Sequence, residues 1–309
     1  MTDPAGRRAD RPLVILGPTA SGKSDLALGV AEALGDVELV SIDSMQVYRG
    51  MDIGTATPST AERARVPHHL IDLVSPDHGF TVGEFQRRAR AALADIRQRG
   101  RTPVLVGGTG LYLRSVIDDL ELPGQFPEVA AELELEPETA TLHARLATLD
   151  PVGASRMEPN NRRRVMRALE VTIGSGRPFS SFGPGMEHYG PTPFVQIALR
   201  WPREVLNERI EARYERQMAD GFLDEVRALA ALGPSRTAAQ ALGYRELLAH
   251  VAGDTTLDEA LTTAIARTRR FARRQDRWFR RDPRLFWVDM PTTADEVIAL
   301  WDDVLAKGE

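Results

Sequence analysis

The segment that most constrains this chain is glycine-rich and runs Gly17-Pro18-Thr19-Ala20-Ser21-Gly22-Lys23-Ser24. An apolar run typical of a buried strand precedes it, and a helical pattern follows from Asp25. Together they form a phosphate-binding loop, in which backbone amides and a helix N-terminus bind phosphate oxygens. Lys23 adds a compact positive charge, and the Ser24 hydroxyl can hold Mg²⁺. We therefore predict a polyphosphate ligand.

Apolar runs of strand length alternate with helical patterns, and this alternation predicts a parallel sheet flanked by helices. Because the phosphate-binding loop follows the first strand, the expected fold class is α/β and P-loop NTPase-like. Strands are predicted at Leu13–Leu16, Glu38–Ile42, His69–Val74, Pro103–Val106, Val195–Leu199 and Phe286–Asp289. The main helices are predicted at Lys23–Leu34, Val82–Arg99, Leu111–Asp118, Arg203–Met218, Leu223–Leu232 and Leu257–Phe279.

The strand signals stop between residues 122 and 185. Pro137 opens a helical pattern that ends at Leu149, and Asn160 or Asn161 can cap a second helix that runs to Ile173. We expect residues 122–185 to form a small all-helical insertion domain. The core is then built from residues 1–121 and 186–309.

The composition excludes several classes of protein. The chain has no cysteine, which excludes disulfides and thiolate metal sites, and no apolar run as long as the ~18 residues of a membrane span. The first ten residues are polar and contain arginine, so we expect a disordered start and not a signal peptide. A soluble, cytoplasmic protein is the default expectation, and a monomer is its default state.

The net charge of −5 argues against a nucleic-acid partner, but the distribution of the charge does not. Residues 267–284 contain nine arginines and two aspartates. A second basic cluster consists of Arg162, Arg163, Arg164 and Arg167. Such asymmetry indicates a polyanionic partner, although an arginine-rich helix face in contact with solvent accounts for the charges equally well.

A phosphate-binding loop identifies the ligand class but not the reaction. ATP hydrolases place an acidic residue at the end of a further strand, whereas Val104–Val106 is followed by Gly107-Gly108-Thr109-Gly110. A conventional hydrolase is therefore disfavoured. Asp43 follows the second predicted strand, where it can bind Mg²⁺, accept a proton from a nucleophile or cap a turn.

At this point the chain resembles a known family, the tRNA dimethylallyltransferases or isopentenyl-tRNA transferases. The most specific matches are the phosphate-binding loop and Asp-Ser-Met-Gln-Val-Tyr-Arg-Gly-Met-Asp-Ile-Gly-Thr-Ala at 43–56. Further matches are Pro-His-His-Leu-Ile-Asp at 67–72, Gly-Gly-Thr-Gly-Leu-Tyr at 107–112, Asn-Asn-Arg-Arg-Arg-Val-Met-Arg-Ala-Leu-Glu-Val at 160–171, Ala-Leu-Gly-Tyr-Arg-Glu at 241–246 and Arg-Arg-Phe-Ala-Arg-Arg-Gln at 269–275. They occur in order over nearly the whole chain.

The resemblance implies transfer of a dimethylallyl group from dimethylallyl diphosphate to N6 of the adenosine 3′-adjacent to the anticodon of tRNA, with release of pyrophosphate. No water is activated in this reaction, which agrees with the missing hydrolase carboxylate. The resemblance assigns the catalytic roles to Asp43, as base, and to Thr109, which contacts the same nucleotide. It assigns the diphosphate to Gly17, Pro18, Thr19, Ala20, Ser21, Gly22, Lys23, Ser24 and Arg213. We expect the amides of residues 19–24 to bind the diphosphate together with Mg²⁺ on Ser24.

The resemblance also implies a tRNA anticodon stem-loop as the partner of the basic clusters. In the core it assigns RNA contacts to Asp43, Ser44, Met45, Gln46 and Thr109. In the insertion it assigns them to Arg163, Arg164, Val165, Met166 and Arg167. We expect Arg273, Arg274, Arg277 and Arg280 to follow RNA phosphates, which supply affinity more than sequence choice. Trp278 and Phe279 can stack on bases but are more typical of core aromatics on an amphipathic helix.

Two other functions share parts of this pattern. A small-molecule or nucleoside kinase uses the same loop beside an acidic strand end, but it gives no reason for the basic insertion. A non-catalytic RNA-binding module with a vestigial loop does not explain why Lys23, Asp43 and Thr109 are all present. His68 and His69 are adjacent on a predicted strand, so they point to opposite faces and are interpreted as structural. The family's tRNA-contacting arginine has no equivalent between Arg114 and Arg145.

Overall fold

A computed structural model of the protein describes residues 4–307, which divide into two compact units. The first unit comprises the described residues up to Asp118 and those from Pro191 onward, and the second is Asp119–Gly190. The predicted insertion domain lies within the second unit. None of the helices in the described chain is both long enough and apolar enough to cross a membrane.

The first unit is built on a six-stranded sheet with the strand order β3-β2-β4-β1-β5-β6, in which all neighbouring strands are parallel. The strands are β1 Leu13–Leu16, β2 Val37–Ile42, β3 His68–His69, β4 Thr102–Gly107, β5 Val195–Arg200 and β6 Leu285–Asp289. This sheet and its flanking helices confirm the predicted α/β, P-loop NTPase-like fold class.

Helices cover both faces of the sheet, because successive strand residues point to opposite faces and both sets are apolar. The helices of this unit are α1 Pro4–Asp10, α2 Lys23–Leu34, α3 Thr60–Arg65, α4 Val82–Gln98, α5 Gly110–Ile117, α10 Arg203–Ala219, α11 Phe222–Leu232, α12 Tyr244–Val251, α13 Leu257–Phe279 and α14 Ala294–Lys307. Leu13 and Ile15 pack with residues of α2 and α14, whereas Val14 and Leu16 pack with residues of α4, α5 and α10–α13.

The second unit contains α6 Pro127–Glu134, α7 Thr139–Leu149, α8 Pro151–Ser155 and α9 Arg162–Ser175. Its core joins α6, α7 and α9 through Leu133, Leu146 and Val165, which are almost completely buried. Asn161 caps α9 because its side-chain oxygen accepts a hydrogen bond from the Arg164 amide.

Two predictions about local structure are wrong. The strand predicted at His69–Val74 ends at His69, because Leu70 (φ 65°) and Asp72 (φ 55°) adopt left-handed backbone conformations that a strand cannot contain. The start of the chain is not disordered over its described part: Pro4–Asp10 forms α1, and Arg8 binds Asp302 at 2.6 Å. Residues 1–3 lie outside the described part.

The register of the central strands places the candidate site. Gly107 at the end of β4 is paired with Ile42 at the end of β2 and with Leu16 at the end of β1. The segments that follow these strands therefore start side by side, at the sheet edge where ligands bind in such folds. They carry Asp43, Thr109 and the phosphate-binding loop.

Candidate functional site

The phosphate-binding loop connects β1 to α2 and is held in shape by side chains from outside it. Ala20 (φ 64°) and Gly22 (φ 85°) have left-handed backbones, which turn successive amides toward one side. The Arg209 Nε donates to the Ala20 carbonyl at 2.8 Å, and the Trp201 indole donates to the Ser21 carbonyl at 2.9 Å. These bonds hold a backbone conformation that alanine rarely adopts.

Not all the amides of the loop are available to a ligand. The Thr19 amide donates to the Gln275 side chain at 2.9 Å, and the Ser21 amide donates to the Pro18 carbonyl at 3.2 Å. The expectation that all the amides of residues 19–24 bind a diphosphate is therefore corrected for these two. Among residues 4–307 no hydrogen-bond acceptor outside the loop engages the amides of Ala20, Gly22, Lys23 and Ser24, so these four remain candidates for phosphate oxygens.

Two positively charged side chains, those of Lys23 and Arg213, lie at this loop. Burial lowers the pKa of Lys23 to about 8, and the nearby Asp43 carboxylate opposes that shift. Arg213 on α10 donates from Nη1 to the Thr19 hydroxyl and from Nη2 to the Gly54 carbonyl, each at 3.1 Å. Arg213 was predicted at the diphosphate, and the structure places it directly against the loop.

Asp43 and Thr109 lie together although they follow different strands. The Ser44 amide donates to the Thr109 hydroxyl at 3.3 Å, and the Met45 amide donates to Asp43 Oδ1 at 2.8 Å. With Oδ1 engaged, Oδ2 is the carboxylate oxygen that remains for another partner. Asp43, Ser44, Met45 and Thr109 all line one cavity of about 330 Å³.

This cavity joins the two halves of the predicted site. It is also lined by Thr19, Lys23 and Ser24 of the phosphate-binding loop and by Arg213. A second cavity, of about 570 Å³, shares Lys23, Ser24 and Arg213 with it. The groups predicted to bind a polyphosphate and the Asp43 carboxylate therefore line one cavity.

Gln46, which is also predicted to contact RNA, lines the same cavity but makes its hydrogen bonds within the protein. Gln46 is buried, and its amide accepts from the Ser41 hydroxyl at 2.6 Å and donates to the Ala56 carbonyl at 3.1 Å. Its bonds hold the segment after β2 in place. Among the described residues no group of three His, Cys, Asp or Glu can hold a metal, and His69 instead binds Glu38 at 2.7 Å. The contact between His69 and Glu38 is a structural one, as interpreted for this histidine.

The basic cluster of the second unit lies on α9. Arg163 and Arg164 are exposed, as RNA-binding residues must be. Val165 is completely buried, so its backbone and not its side chain would make the predicted RNA contact, and Met166 packs partly against the same core. Arg167 binds Glu170 at 2.7 Å and the Pro123 carbonyl at 2.9 Å, which gives it a structural role in this unit.

The basic segment near the C-terminus lies on α13 and just beyond it. Arg274, Arg277 and Arg280 are exposed, and Arg273 is half-buried. Arg280 binds Asp276 at 2.8 Å. Phe279 is buried in the core and Trp278 packs partly against it, as expected for core aromatics.

Sequence reasoning missed two polar residues that hold the site together. Gln275 binds the phosphate-binding loop, and Glu225 accepts hydrogen bonds from the amides of Asp52, Ile53 and Gly54. A signal for Gln275 exists in the sequence. It falls on the buried stripe of α13 formed by Ala264, Thr268, Ala272 and Phe279, where a polar side chain needs an internal partner.

Comparison with known proteins identifies relatives over nearly the whole chain. The family model "IPP transferase" matches residues 46–282. The tRNA dimethylallyltransferase of Streptomyces coelicolor is 50% identical, covering 91% of this chain and 90% of the relative. That of Geobacter metallireducens is 46% identical, with coverages of 94% and 96%.

Solved structures show the same similarity. The tRNA isopentenylpyrophosphate transferase of Bacillus halodurans superposes with a TM-score of 0.71 at 37% identity, covering 96% of both chains. A eukaryotic dimethylallyltransferase acting on tRNA superposes with a TM-score of 0.81 at 24% identity, covering 96% of this chain and 80% of that one. At this identity the second likeness shows the fold alone.

Proposed function

The chain belongs to the IPP transferase family, as do relatives that are tRNA dimethylallyltransferases, and on this premise we propose its substrates and mechanism. The protein transfers a dimethylallyl group from dimethylallyl diphosphate to N6 of the adenosine 3′-adjacent to the anticodon of a tRNA. Pyrophosphate is the second product. The observation that carries the proposal is the single cavity that Lys23, Arg213, Asp43 and Thr109 all line.

The adenine amine is a weak nucleophile because its lone pair is delocalised into the ring. Asp43 accepts the proton that N6 loses as the new N–C bond forms, and Oδ2 is the oxygen free to take it. The Met45 amide fixes the other carboxylate oxygen and so orients the base. Thr109, held by the Ser44 amide, is placed to bind the same nucleotide.

The C–O bond of the diphosphate breaks in the same step, and negative charge develops on the leaving group. The amides of Ala20, Gly22, Lys23 and Ser24, the Lys23 ammonium and the Arg213 guanidinium lie where this charge appears. Donors fixed in position before the reaction stabilise such charge at little reorganisation cost. The loop is therefore suited both to binding the diphosphate of the substrate and to stabilising pyrophosphate as the leaving group.

The residues present fit Mg²⁺ held in part by its substrate. The described residues provide no cluster of three acidic or histidine ligands. Mg²⁺ in phosphate sites commonly takes one or two protein oxygens, with phosphate oxygens and waters as its other ligands. The Ser24 hydroxyl would hold the ion, and the bound ion would neutralise charge on the departing diphosphate.

The RNA partner is proposed to be the anticodon stem-loop, bound by the exposed Arg163 and Arg164 and by the arginines of α13. The target base must leave its stack to enter the cavity, and this costs least in a loop. A tRNA substrate favours a cytoplasmic location, which is part of this proposal. A monomer stays a prediction.

The competing kinase function receives no support from the relatives. The test is to incubate the protein with Mg²⁺, dimethylallyl diphosphate and unmodified tRNA, then to digest the RNA and weigh the nucleosides. An adenosine heavier by one five-carbon unit supports the proposal. No mass gain, with phosphate transfer from ATP to a small molecule instead, would replace it with a kinase.

A further inference from the structure

The side-chain amide of Gln275 bridges the phosphate-binding loop and the turn that carries Thr109. The proposed function assigns these two segments to different substrates. Gln275 Oε1 accepts a hydrogen bond from the Thr19 amide at 2.9 Å, and its Nε2 donates to the Gly108 carbonyl at 2.9 Å. Thr19 lies in the phosphate-binding loop, and Gly108 directly precedes Thr109. Gln275 is only 7% exposed, and its bond to the Gly108 carbonyl is buried while its bond to the Thr19 amide is partly buried.

The turn around Thr109 is shaped to receive this helix. A β-carbon on Gly108 would overlap the Gln275 amide, and one on Gly110 would overlap the Trp278 indole. Gln275 and Trp278 are three residues apart and therefore share a face of α13. Gly108 and Gly110 thus allow one face of α13 to pack closely against the turn that carries Thr109.

The two loops also approach each other directly. A β-carbon on Gly108 would lie 3.1 Å from the Gly17 carbonyl oxygen, which is closer than an ordinary van der Waals contact, so glycine lets the phosphate-binding loop and the Thr109 turn approach closely. Contact between backbones carries little directional preference of its own. The Gln275 amide supplies a directional bond to each of them.

We propose that Gln275 is a positioning residue that aligns the phosphate-binding loop with the Thr109 turn. The inference rests on the proposed function, because it assumes that the first loop holds the leaving diphosphate and the second holds the adenosine. Displacement at an allylic carbon needs the nucleophile and the leaving group in line. A misplacement of ~1 Å costs on the order of 10²-fold in rate.

Loss of this alignment has a chemical signature. When the adenine amine is out of line, water can attack the same carbon. The C–O bond to the diphosphate then breaks, a C–O bond to water forms and a proton leaves to solvent. The products are dimethylallyl alcohol and pyrophosphate. The ratio of alcohol to modified RNA therefore reports alignment, and it is independent of the fraction of protein that is folded.

The test compares the full-length wild-type protein with Gln275→Met, which keeps the length of the side chain but removes both bonds. Gln98→Met is the matched control, because Gln98 is exposed near the end of α4. With Mg²⁺, dimethylallyl diphosphate and tRNA, transfer by Gln275→Met should fall by about tenfold or more and the alcohol-to-RNA ratio should rise several-fold. The control should match the wild type.

Gln275→Glu provides a second variant if Gln275→Met does not fold. It keeps an acceptor for the Thr19 amide but places a carboxylate oxygen against the Gly108 carbonyl, and two acceptors repel each other. The ratio of alcohol to modified RNA should therefore also rise for this variant. A wild-type ratio in either folded variant overturns the positioning role. A wild-type protein that modifies no adenosine at all would instead contradict the proposed function, and the two failures are thereby distinguished.

Discussion

The Glu225 carboxylate accepts a hydrogen bond from the Gly54 amide at 3.1 Å, and through this residue α11 is linked to the phosphate site. The same carboxylate accepts from the amides of Asp52 and Ile53, both at 2.8 Å. The Gly54 carbonyl in turn accepts from Arg213, which reaches the phosphate-binding loop. A half-buried carboxylate on one helix thus fixes the backbone to which Arg213 of another helix is hydrogen-bonded.

Removing this carboxylate should destabilise the protein and weaken diphosphate binding together. Glu225→Ala leaves three consecutive amides without their acceptor, which should lower the free energy of unfolding by about 2–4 kcal/mol. Chemical denaturation measures the free energy of unfolding, and titration with inorganic pyrophosphate measures the affinity for the diphosphate. Asp224→Ala is the control, because the neighbouring Asp224 side chain is exposed and binds Arg227 at the surface. A Glu225→Ala protein as stable as this control would show that the hydrogen bonds of Glu225 to these three amides do not stabilise the fold.

The binding of pyrophosphate should depend on pH through Lys23. Burial lowers the pKa of this ammonium to about 8, so the free protein loses the charge as the pH rises through 8. Only the charged form attracts the diphosphate, and affinity should therefore fall between pH 7 and 9. Calorimetric titrations of the wild type and of Lys23→Met separate this effect from ionisation of pyrophosphate itself. Parallel pH profiles for the two proteins would show that Lys23 does not titrate in this range.

Charge reversal on α9 should weaken RNA binding in a salt-dependent way. Arg163→Glu with Arg164→Glu removes exposed cations, and each lost phosphate contact should reduce the salt slope of binding by about one. Filter binding of an anticodon stem-loop over a range of salt concentrations measures the slope. Arg145→Glu is the control in the same unit, since Arg145 is half-exposed on α7. An unchanged slope in the double variant would place the RNA elsewhere.

Much of the fold could be predicted because its signals are local. The apolar runs of β1, β2 and β4 are flanked by glycines and polar turns, so strand ends and the residues that follow them were predicted within a residue or two. That placed Asp43, Thr109 and Lys23 at one sheet edge. The strand after His68 was mispredicted because the left-handed backbones of Leu70 and Asp72 have no sequence signal comparable to glycine.

The supporting residues of the site could not be predicted because their partners are distant in sequence. Gln275 binds Thr19 across 256 positions, and Glu225 binds the Asp52 amide across 173. Nothing in the local pattern of α11 identifies a carboxylate with three amide partners. Exposure also separates residues that the sequence groups together: Arg163 and Arg164 are exposed, whereas Val165 lies in the core.

The most direct test of the account is the rate of dimethylallyl transfer by Asp43→Asn, measured under single-turnover conditions with an anticodon stem-loop. Asparagine has the same shape but cannot accept the proton from N6, so the rate should fall by about 10² or more while RNA affinity changes little. Asp224→Asn, at an exposed position, should behave as the wild type. Transfer by Asp43→Asn at the wild-type rate would contradict the central claim that this carboxylate is the base of the reaction.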